Sequence, residues 1–232
     1  MRLSIVIPLL NEAAGLPRFL AHLRTRVEAM AGSELGVDVL LVDGGSDDGT
    51  HQALRDAGFA CITAERGRGS QMNAGAAATR GDVILFLHAD TRLPPDALQQ
   101  AGKAIGRGCV GGFFRVRLDS RRPLLRLIGH LITRRSSLTG IATGDQAIFV
   151  ARSAFESLGG YAPLPLFEDV ELSRRLKRLG SVARIEATVT TSARRWEQRG
   201  PWRTILRMWL LRLMYLCGVE PARLARYHET AR

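Results

Sequence analysis

Cysteine is scarce in this 232-residue chain: Cys61, Cys109 and Cys217 are odd in number and show no C-x-x-C spacing. A disulfide framework and a structural zinc site are thereby disfavoured. Long apolar runs are lacking too. The first apolar segment follows one Arg, is short and stops at Pro8, with Asn11 and Glu12 close behind, which reads as a strand and not a signal peptide. From Trp202 to Cys217, Arg203, Arg207 and Arg212 interrupt the apolar residues, so this stretch falls well short of a span of roughly 20. No internal repeat and no low-complexity linker occurs. Acids are in deficit, with a formal net charge of +11 and a pI of about 11.0, which points to anionic partners. The excess is uneven: seven Arg lie between Arg115 and Arg135 against Asp119 alone, and eight between Arg194 and Arg226 against Glu197 and Glu220. Nucleic acid, an anionic membrane surface and a phosphorylated substrate each fit that bias. The expected location is the cytoplasm, at the inner face of the membrane if the tail touches lipid.

With 46% hydrophobic residues the chain can bury a full core. Its first hundred residues alternate strand and helix. Leu3–Ile7, Val37–Val42, Phe59–Ala64 and Val83–Leu87 read as strands, and Leu16–Met30, Asp48–Ala57, Ser70–Thr79 and Asp96–Ile105 as helices. Val83-Ile84-Leu85-Phe86-Leu87 shows no alternation, as expected of a strand covered on both faces. The pattern predicts an α/β fold with a mostly parallel sheet flanked by helices. The second half is less regular. Gly111–Val116 and Gln146–Val150 read as strands, Leu124–Ile132 as an apolar helix or loop, and Val182–Val189 as a return to the sheet. Glu168–Leu179 has Leu172, Leu176 and Leu179 on one face, acids in the first turn, bases in the last and Gly180 as cap, so a helix is predicted there. Trp202–Cys217 closes the chain as an amphipathic helical tail. Residues 1–200 are expected to form the domain, with 201–232 packed on it, on a partner subunit or on a membrane surface.

Three acidic stations carry the chemistry: Asp43-Gly44-Gly45-Ser46-Asp47-Asp48, His88-Ala89-Asp90 and Glu168-Asp169-Val170-Glu171. The first two directly follow predicted strands. In an open parallel sheet, residues past the carboxyl ends of strands line the ligand crevice. Carboxylates gathered there repel one another unless a cation or substrate intervenes. An enzyme that handles a phosphorylated ligand through a metal is the expectation.

Ser4-Ile5-Val6-Ile7-Pro8-Leu9-Leu10-Asn11-Glu12, Val42-Asp43-Gly44-Gly45-Ser46-Asp47-Asp48-Gly49-Thr50, Phe86-Leu87-His88-Ala89-Asp90 and Phe167-Glu168-Asp169 occur in this order. Together they resemble the family 2 glycosyltransferases with the GT-A fold, a Rossmann-like nucleotide-sugar-binding domain. They correspond to that family's first strand and loop, its V-D-D-G-S-x-D-G-T motif, its metal-binding D-x-D motif and its E-D motif, over residue 3 to about residue 180. Any one motif alone is weak evidence; four in order are specific. A looser resemblance links the chain to a small bacterial subfamily assigned to arsenosugar biosynthesis.

The resemblance implies an inverting transferase that moves a sugar from a nucleotide-diphosphate donor to a hydroxyl acceptor. It places Pro8, Asn11, Glu12, Asp43 and Ala89 at the nucleotide, with Asp43 against the base. Asp43 and Asp47 also suit an Asx turn and a helix N-cap, and for Asp47 and Asp48 that plainer role is favoured. Asp90 is the metal candidate, for Mn²⁺ or Mg²⁺ bridging phosphate oxygens. His88 stands where the family has its first acid; imidazole suits Mn²⁺ better than Mg²⁺, and an ordinary strand-end histidine is an equal reading. Asp169 is the implied base, although acids in a first helical turn also complement the macrodipole. Arg66, Arg68 and Asn73 fit the diphosphate, since guanidinium groups grip phosphate and a helix N-terminus follows; a solvated basic loop is the alternative. Gly144, Asp145 and Glu168 are expected to border the acceptor, although Asp145 can equally serve a turn.

Arg194-Arg195-Trp196 is similar to the Q-x-x-R-W motif of processive polysaccharide synthases. Ser192 takes the Gln position, and without a membrane span a processive synthase is disfavoured. The tail, with Trp202, Trp209 and Tyr215 beside Arg, suits either a membrane interface or packing on the core or a second copy of the chain. Three rival functions stay open: a nucleotide-sugar-binding module without turnover, a nucleic-acid-binding protein, and a nucleotidyltransferase, which would release pyrophosphate and not a nucleoside diphosphate. The Arg are not interleaved with aromatics along a strand, and the acidic stations would repel phosphates, so nucleic acid is disfavoured.

Overall fold

The protein is described from a computed structural model over residues 1–221 and 223–225. The strands are β1 (Arg2–Leu9), β2 (Gly36–Asp43), β3 (Cys61–Thr63), β4 (Val83–Phe86), β5 (Thr91–Arg92), β6 (Gly111–Asp119), β7 (Phe149–Ala151) and β8 (Val182–Ser192). They form one eight-stranded sheet in the order β3-β2-β1-β4-β7-β6-β8-β5. Four of its ladders are parallel: β1 with β2, β1 with β4, β2 with β3, and β6 with β8. β7 runs antiparallel to both β4 and β6 and so joins a parallel half to a mixed half.

Period-two alternation divides the apolar runs between two cores, as a sheet covered on both faces requires. Leu3, Ile5, Ile7, Leu41 and Leu85 pack on one side with α1 (Leu16–Glu28) and α4 (Ala97–Gly106). Val6, Val42, Ile84 and Phe86 pack on the other with α3 (Arg68–Ala78), α6 (Arg152–Ser157) and α7 (Glu168–Leu179). The small residues of α3 have a function: a Cβ at Gly75 would lie 2.3 Å from Val6 Cγ1, so only a side-chain-free position lets the helix sit directly on β1. α2 (Thr50–Asp56) follows the β2 loop.

Several expectations need correction. Leu124–Ile132 is neither a loop nor that short; α5 runs Pro123–Thr139, with Pro123 opening it and Gly140 closing it at φ 71°. The strand expected over Gln146–Val150 begins only at Phe149, because residues 144–146 form a 3₁₀ turn. The Gln146 side chain drives this. Its Oε1 accepts from the Thr143 N–H (3.1 Å) and the Ser136 hydroxyl (2.7 Å), and its Nε2 donates to the Phe114 carbonyl (3.1 Å). The short helix α8 (Arg194–Arg199) and the two-residue β5 were not foreseen.

The tail helix α9 spans Pro201–Leu216. Its Leu211, with Leu224 beyond it, is buried against Phe167 and Val170, and Tyr215 stacks on Phe167 at 4.9 Å between ring centres. The tail boundary set at 201–232 includes residue 222 and residues 226–232, which lie outside the described residues. Among the described residues no helix is long and apolar enough to cross a membrane.

Candidate active site

The site forms past the carboxyl ends of β1, β2 and β4, where the loops after β1 and β2 hold each other. Gln71, buried in α3, donates to the carbonyls of Leu9 (2.7 Å) and Val42 (2.8 Å) and so ties the ends of β1 and β2 together. The Asn11 N–H donates to Ser46 Oγ (2.9 Å), and the Asp47 N–H donates back to Asn11 Oδ1 (3.0 Å). Asn11 adopts φ 54°, a left-handed conformation that asparagine tolerates better than most residues. Asp48 accepts from the Ala13 N–H (3.0 Å) and from the Thr50 hydroxyl (2.5 Å), the local structural role favoured for it. Asp43 is buried at the end of β2, and its carboxylate accepts from the Ser46 hydroxyl at 2.5 Å and from the Ser46 N–H at 3.2 Å, three residues on. Pro8 is half-buried in the same strand end.

Glu12 reaches Arg194 of α8 in a 3.6 Å ion pair. Burial raises its pKa, and Arg194 and Arg68 partly offset the rise. Arg194 therefore ties α8 to the loop after β1. Asp90 is exposed just after β4, next to half-buried Ala89, and its Oδ1 lies 3.3 Å from the Thr91 hydroxyl and 3.4 Å from that of Thr191.

His88 and Asp169 converge on Gly144. A methyl group there would lie 2.6 Å from His88 Nε2 and 3.6 Å from Asp169 Oδ2. Burial, reinforced by Arg68, lowers the His88 pKa to about 4, so its imidazole is neutral at pH 7. Asp169 Oδ2 accepts from the Gly144 N–H at 2.7 Å and Oδ1 from the Val170 N–H at 2.6 Å, which fixes the carboxylate in place. The neighbouring Phe167, at φ 68°, turns the chain so that Glu168 and Asp169 enter α7 facing the crevice. Glu168 is buried; desolvation, with Asp169 beside it, raises its pKa to about 7, while Arg68 opposes the rise. Glu171 plays a different part. It holds Arg175 in a two-pronged ion pair, and Arg175 in turn donates to the Gly160 carbonyl (2.8 Å).

Exposed Arg68, the first residue of α3, lies within electrostatic reach of Glu12, His88 and Glu168. Asn73 is positioned otherwise than expected for a diphosphate ligand. Its Oδ1 accepts from the Tyr161 N–H (2.8 Å) and its Nδ2 donates to the Tyr161 carbonyl (2.9 Å), so its amide clamps the loop before α7. Asp145 lies in the 3₁₀ turn, and its buried Oδ1 has no hydrogen-bond partner among the described residues. Burial, with Asp169 and Asp90 nearby, raises its pKa. Two guanidinium groups that sequence reasoning missed share this region. Burial, then mutual repulsion with Arg212, lowers the pKa of Arg135 to about 10, while Asp145 and Asp169 pull it back up. Burial likewise lowers that of Arg212, against the pull of Asp169 and Asp145. In the sequence both count toward the uneven basic excess; only the packing of α5 and α9 brings them to the carboxylates.

No three His, Cys, Asp or Glu side chains converge to hold a metal among the described residues. The donors present still fit a hard ion carried partly by substrate phosphate: an exposed carboxylate at Asp90, a neutral imidazole at His88 and an orphaned carboxylate oxygen at Asp145.

Residues 4–155, more than half the chain, match the sequence family described as Glycosyl transferase family 2. The chain belongs to that family. An undecaprenyl-phosphate 4-deoxy-4-formamido-L-arabinose transferase of Aeromonas hydrophila is 29% identical to this family 2 chain over 154 residues, 61% of the chain. The chain spans 45% of that relative's length. A mannosyltransferase of Pyrobaculum calidifontis, solved with GDP-Man and Mn²⁺, superposes with a TM-score of 0.66 at 22% identity, over 90% of this chain and 62% of the other. S. aureus TarS 1-349 with UDP-GlcNAc gives 0.61 at 15% identity, over 83% and 58%. These likenesses assign the GT-A fold to the family 2 chain, as the order of its motifs implied.

Proposed function

We propose that this chain is an inverting glycosyltransferase that moves a sugar from a nucleotide-diphosphate donor to a hydroxyl acceptor. The observation that carries this reading is the meeting of Asp169 and His88 at Gly144, within the crevice that Asp90 and Arg68 border. Pro8, Asn11, Glu12, Asp43 and Ala89 shape the nucleoside side. Gly144, Asp145 and Glu168 form the acceptor side.

In the step proposed, the acceptor oxygen bonds to the anomeric carbon as the bond from that carbon to the diphosphate oxygen breaks. The acceptor proton passes to Asp169, whose carboxylate is aimed by the Gly144 N–H. Negative charge grows on the departing nucleoside diphosphate. Arg68 and the N-terminus of α3 meet that charge with a guanidinium and free backbone N–H groups. A Mn²⁺ or Mg²⁺ ion on Asp90 and His88 would supply further Lewis-acid neutralisation there. The bound donors of the solved neighbours, UDP-GlcNAc in one and GDP-Man in the other, support a nucleotide-sugar donor without choosing the base. Three free cysteines suit a reducing compartment, and we place the chain in the cytoplasm.

The test compares Asp169→Asn and Glu168→Gln. Transfer should fall by about 10²–10⁴-fold in Asp169→Asn, with UDP or GDP binding in the presence of Mn²⁺ retained. A specific observation supports a second assignment: Glu168, with a pKa of about 7, is also poised for proton transfer. Loss confined to Glu168→Gln would move the base there. A wild type that binds nucleotide sugars yet never turns them over would overturn the enzymatic reading in favour of a binding module.

A further inference from the structure

α9 has two opposed faces. Thr204 and Leu211 are buried, whereas Trp202, Leu206, Trp209, Leu210 and Leu213 form one exposed stripe at helical spacing. Trp209 is 76% exposed, Leu206 70% and Trp202 66%. A helix packed on a domain normally turns such residues inward. α5 repeats the pattern, with Leu127, Leu131 and Leu138 exposed while Leu125, Ile128 and Thr133 are buried. Ile205 of α9 packs on the apolar cluster to which Leu124, Leu125, Ile128 and Ile132 of α5 belong. Arg135 of α5 and Arg212 of α9 also lie within electrostatic reach of each other, so the two exposed stripes stand on neighbouring helices as a two-part apolar face.

The border of this face is basic. Exposed Arg203 adjoins Trp202 and Leu206 on α9, and exposed Arg126, His130 and Arg134 run beside the leucines of α5. A groove of about 1230 Å³ continues the charge between α5 and β6, lined by Arg115, Arg117, Arg121 and Arg122 among others. Of its two acids, Asp119 is taken by Arg92 (2.6 Å) and Glu197 by the Ser120 hydroxyl (2.8 Å).

We propose that the α5–α9 face docks on an anionic lipid surface. Tryptophan and leucine suit the boundary between headgroups and acyl chains, and arginine at the rim meets lipid phosphates. Each arginine near such a surface adds roughly fivefold in affinity. A second copy of this chain is the weaker occupant, because the cores of protein interfaces are depleted in charge and like-charged rims would face each other across a two-fold axis.

The full chain is mixed with vesicles of phosphatidylcholine alone or with phosphatidylglycerol, and binding is read by co-sedimentation and by the shift of tryptophan emission. Binding is expected only to vesicles containing phosphatidylglycerol and should weaken with added salt. A double variant, Trp202→Ser with Trp209→Ser, should lose affinity by at least about tenfold with its melting temperature unchanged. Leu206→Gln with Leu213→Gln should behave alike and keeps both tryptophans as reporters. A wild type that ignores anionic vesicles, or variants that bind as well as it does, would overturn the proposal. So would a wild-type dimer that the variants convert to monomer, since the face would then belong to a second copy.

Discussion

Replacing Glu168 with Gln should make the protein more stable at alkaline pH and leave its stability near pH 4 unchanged. The Glu168 carboxyl is buried beside Asp169, and its pKa rises from 4.5 in the unfolded chain to about 7 in the fold. The native state therefore holds this proton more tightly than the unfolded state does. Stability falls as pH rises through the window from 4.5 to about 7 and then levels off. At about 1.4 kcal/mol per pKa unit, the ionised carboxylate costs the fold roughly 3 kcal/mol above that window. Gln keeps the shape and cannot ionise. Urea unfolding of wild type and Glu168→Gln across this range isolates the titration of Glu168 and its partner Asp169, because titrating groups that do not interact with them cancel in the difference between the two proteins. The variant should gain about 3 kcal/mol at pH 8.5 over its difference at pH 4, or roughly 6–12 °C in melting temperature. A difference that does not change with pH would refute the claim that burial holds Glu168 protonated, and with it Glu168 as an alternative base.

Two further outcomes follow from the packing around the site. Gln71→Ala removes the donors shared by the Leu9 and Val42 carbonyls and should destabilise the fold by about 1–3 kcal/mol, measured by urea unfolding. Arg68→Ala should weaken UDP or GDP binding by roughly 10- to 100-fold in calorimetry; by removing an opposing charge it should also push the Glu168 pKa higher.

Much of the architecture was legible before folding. The β1–β4 strands and the helices between them follow from apolar runs bounded by Pro, Gly and acidic turns, since local period and turn chemistry decide such elements. The 3₁₀ turn at Gly144 was not legible, because its cause is a side chain, Gln146, reaching the distant Phe114 and Ser136. Asn73 shows the same limit. Its place beside a basic loop suggested phosphate, whereas its amide is taken up by Tyr161, 88 positions away in sequence.

By itself, then, the sequence determined the order of motifs, the α/β class and the three acidic stations, because each is written within a few consecutive residues. Tertiary structure alone decided that Asp169 and His88 would meet at one glycine and that Arg194 would reach Glu12. It also decided that Arg135 and Arg212 would stand near the carboxylates, and that α9 would bury Leu211 while leaving its tryptophans in solvent. Composition cannot distinguish a solvated arginine from one beside a site. That difference depends on contacts between segments distant in sequence, and only the packing of α5, α7 and α9 around the sheet supplies them.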